Sequence, residues 1–305
     1  MSSPVVFWPA VLGLSFLVAG LLTYRRDLQR AAARGLSGLA VLGPTFIAAS
    51  LAAFAGEHFT SAANIAQIVP RFMPARLFIA YLVGAAHLAA ALSFVTRRYV
   101  RWAAIGLAIM FGLFVLLMDL PSAIANPGVR MAWSLAARQA TFSLGALALF
   151  ATVVRRDRPR LTRNIATVAR YWGACVLVFY GIENLLYPQF APGVPSTVPT
   201  AAWVPLPHVI AWATGIILVA CGLLMFIEKF AATGAALCGV LMTVLTVALF
   251  APQFFLEHDA GGQLTAINFV FDTLLFAGTA FVISGAISAT ACRPAGATSP
   301  VAHAT

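Results

Sequence analysis

Residues 206–251 read LPHVIAWATGIILVACGLLMFIEKFAATGAALCGVLMTVLTVALFA, and the only charged side chains among them are Glu228 and Lys229. On each side of that pair lies an apolar run long enough to cross a hydrocarbon core of ~30 Å, which takes about 20 residues of helix. The spacing therefore predicts two membrane helices, 206–227 and 230–251, joined by a tight turn. Reading outward finds seven more such runs, at 4–23, 36–56, 75–96, 100–120, 132–153, 168–187 and 265–288. Strands are excluded, because an open sheet edge in lipid leaves backbone groups without partners. The expected fold is all-α, a polytopic transmembrane bundle of about nine helices.

The composition agrees. Of the 305 residues, 61% are hydrophobic and 9% charged, where soluble domains carry about 25% charged residues. Mean hydropathy is +0.92. Such a chain lacks the polar surface to cover a soluble core, which excludes a soluble enzyme, a disordered chain and a disulfide scaffold. Three of its cysteines, Cys175, Cys221 and Cys238, lie in apolar runs, and with Cys292 they form no CxxC pair. They read as small buried residues. The first apolar run has no basic segment before it, and Tyr24-Arg25-Arg26 follows it in place of a small-residue cleavage site. It is expected to be a retained span.

The formal net charge of +10 would suggest a nucleic-acid partner in a soluble chain. Here the excess follows the membrane rule that cytoplasmic loops collect Arg and Lys, so the expected partner is the lipid bilayer and not nucleic acid. With nine alternating spans, Arg25, Arg26, Arg30, Arg34, Arg97, Arg98, Arg101, Arg155, Arg156, Arg158, Arg160, Arg163, Arg170, Lys229 and Arg293 fall on one side. Only Arg71, Arg76, Arg130 and Arg138 fall on the other. This split predicts an N-terminus outside and a C-terminus in the cytoplasm.

The sequence also resembles itself. Phe54-Ala55-Gly56-Glu57-His58-Phe59 matches Tyr180-Gly181-Ile182-Glu183-Asn184-Leu185, and a Val-Pro follows each, at Val69-Pro70 and Val194-Pro195. Met73-Pro74 and Ile79-Ala80-Tyr81-x-x-Gly84 match Val204-Pro205 and Ile210-Ala211-Trp212-x-x-Gly215. Arg101-Trp102-Ala103-Ala104-x-Gly106 is paired with Lys229-Phe230-Ala231-Ala232-x-Gly234, and Gly145 with Gly278. The expected division is an N-terminal helix and basic loop (1–35), a four-helix unit (36–154), a basic linker (155–167), a second four-helix unit (168–288) and a cytoplasmic tail without regular structure (289–305). Because four is even, both units enter the membrane from the same side as parallel repeats. The proline-dense stretch 188–207 and residues 252–264 are expected to be loops on the outer side.

Ionisable groups inside a membrane are costly and mark functional sites. Glu57, His58, Asp119, Arg138, Glu183, His208 and Asp272 all fall towards the outer ends of their spans, and His87 lies nearest the midplane. Glu57 and Glu183 occupy one position of the repeat. A carboxylate in apolar surroundings is suited to moving protons near neutral pH, so the two are candidates for proton handling. Capping or pairing at a helix end is the structural alternative for both. His58, His87, Asp119, Arg138, Asn184, His208 and Asp272 are candidate ligand-binding residues. No HExxH or close His pair supports a metal site, and none is expected. Arg138 and Asp272 fall at one depth in the last helix of each unit, which invites a salt bridge between halves; the alternative is that Arg138 receives an anionic ligand. No Walker loop, GxGxxG or GxSxG is present.

Glu-His-Phe near a helix end, Val-Pro-x-x-x-Pro, then Tyr-x-x-Gly resembles the DoxX-like four-helix membrane proteins. So does Gly181-Ile182-Glu183-Asn184-Leu185-Leu186-Tyr187-Pro188, with Pro192-Gly193-Val194-Pro195 and Trp212-Ala213-Thr214-Gly215 after it. The resemblance covers residues 36–288 as a tandem pair of units. It implies a bacterial inner-membrane protein in a redox-associated role, facing a quinone or another small molecule and working with a redox partner protein. Members resemble the membrane subunit of thiosulfate:quinone oxidoreductase. Asn184 stands where the family commonly has His, and His87 and Leu218 stand where it often has Glu, so any role for histidine falls to the first unit. A small-solute or lipid transporter and a membrane scaffold for a partner enzyme are the alternatives. Whether the chain is an enzyme is left open.

Overall fold

The computed structural model describes residues 3–291. Among them, nine helices are long and apolar enough to cross a membrane: α1 Pro4–Ala32, α2 Gly35–Thr60, α3 Arg76–Thr96, α4 Val100–Ala125, α5 Arg130–Val154, α6 Pro159–Leu186, α7 Pro207–Phe226, α8 Glu228–Leu256 and α9 Ala260–Ala291. No strand accompanies them among the described residues; one isolated bridge joins Phe190 and Pro199. The chain is an all-α, multi-pass membrane protein.

The helices are apolar on nearly all sides, as lipid and core both demand. α9 and α2 are the most buried, α1 and α4 the least. α9 is the central element and packs against α2, α5, α6 and α8. Its crossing with α2 is close because neither chain has a Cβ at the contact: one built on Gly43 would lie 2.9 Å from the Gly278 carbonyl oxygen, and the reverse contact is also 2.9 Å. Small residues let membrane helices approach in this way. α1 packs on α2, where Tyr24 donates to the Phe94 carbonyl of α3 at 3.0 Å and Arg97 pairs with Asp27 at 2.7 Å.

One residue offset joins features of the two halves. It pairs Ala75 with Leu206, both in the left-handed region just before a helix. It pairs the start of α3 at Arg76 with that of α7 at Pro207, and the α-helical run Val100–Phe114 with Ala231–Leu245. It also pairs two π-turns, Val115–Asp119 in α4 and Thr246–Phe250 in α8, each followed by a proline, Pro121 and Pro252. In this register Arg101 corresponds to Ala232, so the expected pairing of Arg101 with Lys229 is out of step.

Several boundaries also differ from expectation. α1 continues through Arg25, Arg26 and Arg30 to Ala32, because Arg and Gln are good helix formers in water as well as at the interface. The basic segment expected as a linker is helical from Pro159 onward, with proline at the permissive first turn. The expected loop 252–264 is helical up to Leu256 and again from Ala260. Pro252 is tolerated there because the π-turn before it has already interrupted the i to i−4 ladder. Cys221 and Cys238 are buried, whereas Cys175 is exposed on α6, against the expectation for it. Cys292, Arg293 and most of the expected tail lie outside the described residues.

Candidate functional site

Most of the basic side chains gather at one end of the bundle. The polar side chains singled out above gather at the other, called here the site end. At the site end a cavity of about 460 Å³ opens between α2, α3, α5, α9 and the proline-dense loop. His58, His87, Arg138, Gln139, Asn268 and Asp272 supply its polar wall, and Phe54, Phe111, Phe142 and Phe269 much of its apolar one.

His87 is 3% exposed, and neither of its ring nitrogens has a hydrogen-bond partner in the chain. The His58 ring meets it edge-on, with centroids 5.3 Å apart. α2 and α3 approach here because Gly84 leaves room: a Cβ on it would lie 2.7 Å from the Cβ of His58. His58 Nδ1 lies 3.1 Å from the Phe54 carbonyl. A carbonyl only accepts, so this contact places the proton on Nδ1 and leaves Nε2 of the neutral ring as an acceptor.

Arg138 of α5 donates to Asp272 of α9 at 2.8 Å, which joins the two halves of the chain inside the cavity wall. Nε of Arg138 and Oε1 of the neighbouring Gln139 are buried without partners. Asn268 lines the cavity and donates to Glu57 Oε1 at 3.4 Å, so Glu57 touches the site through Asn268.

Glu183 has different surroundings. Arg130 Nη1 donates to its Oε2 at 2.6 Å, while Arg130 Nη2 donates to the Ser196 carbonyl at 2.8 Å. The same guanidinium lies over the Tyr187 and Phe190 rings, at 4.3 and 4.9 Å. The two glutamates matched by sequence thus have different surroundings, and Glu183 is a partner of Arg130 in holding the loop. Asn184 is a structural residue too. Its side chain donates to the carbonyls of Tyr180 and Gly193 and accepts from the Gly193 amide at 2.9 Å. Gly193 has φ +105°, which glycine alone adopts freely. Together Arg130 and Asn184 pin residues 187–200 over the cavity, where Pro192, Val194 and Ser196 form part of its wall.

Asp119 lies on the α4 π-turn and lines a neighbouring groove, with Oδ2 buried and unpartnered. His208 is exposed beside Trp212 at the start of α7, outside the cavity. The structure therefore brings His58, His87, Arg138 and Asp272 together and leaves Glu183, Asn184 and His208 out. Sequence reasoning missed Arg130, Gln139 and Asn268. Arg130 had a signal, since arginine is rare at this end and costly unless paired; the two amides had none.

Unlike an ion-binding centre, the cavity has few net charges, and among the described residues no three His, Cys, Asp or Glu side chains are placed to share a metal. It offers two imidazole rings, an amide oxygen and an internally compensated ion pair inside an aromatic shell. That set suits a compact molecule with carbonyl or hydroxyl groups. Comparison of the chain with protein-family models, with curated proteins and with solved structures finds no match.

Proposed function

We propose that this protein is a redox-associated subunit of the bacterial inner membrane that holds a quinone-class molecule in the site-end cavity, with that end outside and the C-terminus in the cytoplasm. The two halves are read as tandem DoxX-like four-helix units; the shared helix offset and the paired π-turns support this. The gathering of exposed basic residues at the opposite end supports the orientation, through the positive-inside rule. A redox partner protein would complete the activity.

The observation that carries the reading is His87. An unsatisfied buried polar group costs about 1–3 kcal/mol; both nitrogens of His87 are buried without partners, and the residue stands in the wall of a cavity of about 460 Å³. That volume lies within the range of small-molecule sites, roughly 300–1,000 Å³. A quinone, when bound, supplies interconversion of ring carbonyls and hydroxyls with transfer of electrons and protons. His87 would hold one ring oxygen, donating to a carbonyl or accepting from a hydroxyl. His58 Nε2 accepts from a hydroxyl. Phe111 and Phe142, packed on each other with centroids 5.5 Å apart, would form an apolar wall on one side of the ring and exclude water there. Glu57, reached through Asn268, is the carboxylate placed to hold or release a proton beside the cavity. Glu183 takes no part in this, being committed to Arg130.

The test is extraction of the protein purified in mild detergent, followed by mass spectrometry and reduced-minus-oxidised absorption spectra. A quinone retained by the wild type and lost from His87→Leu supports the reading. Retention of equal amounts by both contradicts it.

A further inference from the structure

A second cavity, about 1130 Å³, runs between α3 and α4. It reaches from Ile65, Val69 and Met73 at the site end to Thr96 and Tyr99 at the basic end. α3 has 21 residues, so at ~1.5 Å per residue the groove is roughly 30 Å long, the depth of a hydrocarbon core. Leu82 and Ile109 line it and are 54% and 58% exposed, so the groove opens sideways on the lipid-facing surface. Its middle is aliphatic, and its polar lining is confined to the two ends. At the site end, His58, Phe114 and Gln139 line both this groove and the polar cavity. The two spaces meet at those three side chains.

We infer that the occupant of the polar cavity carries one long apolar chain that lies in the α3–α4 groove, so that it is a prenylated quinone and reaches the site sideways from the bilayer. This rests on the reading of the polar cavity given above. Two features select this occupant over a phospholipid. The cavity's one arginine, Arg138, is already paired with Asp272, which leaves the cavity no free cation for a phosphate. The groove's own arginine, Arg98, stands at the far, basic end, so a phosphate drawn to it would leave the polar cavity empty, whereas a neutral ring needs no cation and fits the polar end. One groove and one cavity share the wall of His58, Phe114 and Gln139, and one groove beside one cavity matches a single chain on a single head. Apolar burial along such a chain contributes about 0.8 kcal/mol for each methylene removed from water, so the route through lipid is also the one the chain favours.

Gly106 provides the test. It lines the groove, and a Cβ built on it meets no other atom within 4 Å. Gly106→Phe therefore fills the groove without disturbing the packing around it. Wild type and G106F are placed in phosphatidylcholine nanodiscs and titrated with two probes, a benzoquinone carrying a geranylgeranyl chain and the same ring with a methyl group in its place. Quenching of tryptophan fluorescence, corrected with empty nanodiscs, reports binding. The expected result is that G106F weakens binding of the prenylated probe about tenfold, ~1.4 kcal/mol, and leaves the ring-only probe within about twofold. Equal binding of the prenylated probe by both proteins overturns the groove inference while the cavity reading stands. Failure of both probes to bind the wild type overturns the cavity reading and this inference with it. Should G106F lose both probes, Ala89→Phe on the facing wall of α3 is judged by the same criterion. Displacement of the prenylated probe by phosphatidylglycerol, and not by excess quinone, also overturns it.

Discussion

The ring of His58 stands edge-on to the ring of His87, 5.3 Å between centroids and 88° between planes, at the point where a polar cavity meets an apolar groove. The pair comes from adjacent helices of the first half; Asn184 and Leu218, the residues matched to them by sequence pattern, supply no imidazole. Any role that needs two imidazole rings therefore falls to the first half.

On the proposed reading His87 serves a ligand and not stability. Replacing it with Leu removes buried groups that lack partners, a change worth about 1–3 kcal/mol in the direction of greater stability, offset in part by imperfect packing. His87→Leu is expected to retain or raise the thermal unfolding midpoint in detergent while reducing quinone binding at least about tenfold. A lowered midpoint together with unchanged binding is the opposite outcome.

The Arg138–Asp272 pair joins α5 to α9 and hence the two halves. Removing one partner of a buried pair costs about 3–5 kcal/mol, and the partial exposure of both side chains, 26% and 18%, lowers the expectation to roughly 2–3 kcal/mol. Asp272→Asn should show this loss in denaturant titrations. Arg138→Met combined with Asp272→Leu should recover most of it, because the apolar pair leaves no charge unpaired. Equal destabilisation in the single and double variants would be evidence against the pair.

Arg130 holds the loop 187–200 by four contacts at once: Glu183, the Ser196 carbonyl and two aromatic rings. Lysine has neither the planar fork nor the stacking face. Arg130→Lys is therefore expected to behave like Arg130→Ala, with amide exchange in residues 187–200 faster by about tenfold or more and exchange in α9 unchanged. Protection equal to wild type in the Lys variant would show that charge alone suffices.

Asp259 caps α9. Its Oδ1 accepts from the Gly261 and Gly262 amides, each at 2.9 Å. The Gly262 amide first, and then that of Gly261, holds the carboxyl below the ordinary carboxylate range. A group lowered in the folded state stabilises fully above its unfolded-chain value and loses that contribution as pH falls through its folded value. Asp259→Asn keeps the capping geometry without the charge. The wild type should be the more stable at neutral pH, with the difference closing in the acid range below the ordinary value for Asp. A difference independent of pH would contradict this account of the cap.

How much of this the amino-acid sequence reveals depends on the length scale of the interaction. The nine spans are legible because each is a contiguous run set by the thickness of a bilayer. The meeting of Arg138 and Asp272 is legible as well, because depth in the membrane restricts each charge to one layer and cost forces a pairing. The contact of His58 with His87 is not, since it depends on the close approach of two helices at Gly84. The paired π-turns leave a trace only in the prolines after them, at Pro121 and Pro252. Matching by residue type goes astray at the basic end, where Arg101 and Lys229 look alike because both face the same interface. The helix register instead sets Arg101 against Ala232. Gln139 and Asn268 are ordinary amides in the sequence and become site residues only through the folding of α5 and α9.

The most direct measurement is the quinone content of protein purified in mild detergent, determined for the wild type and His87→Leu at matched folding. About one molecule per chain in the wild type and little in the variant is the predicted result, since a single cavity of about 460 Å³ with His87 in its wall accounts for the binding. A wild type that retains no carbonyl-bearing molecule, or a variant that retains as much, would contradict the assignment of the site.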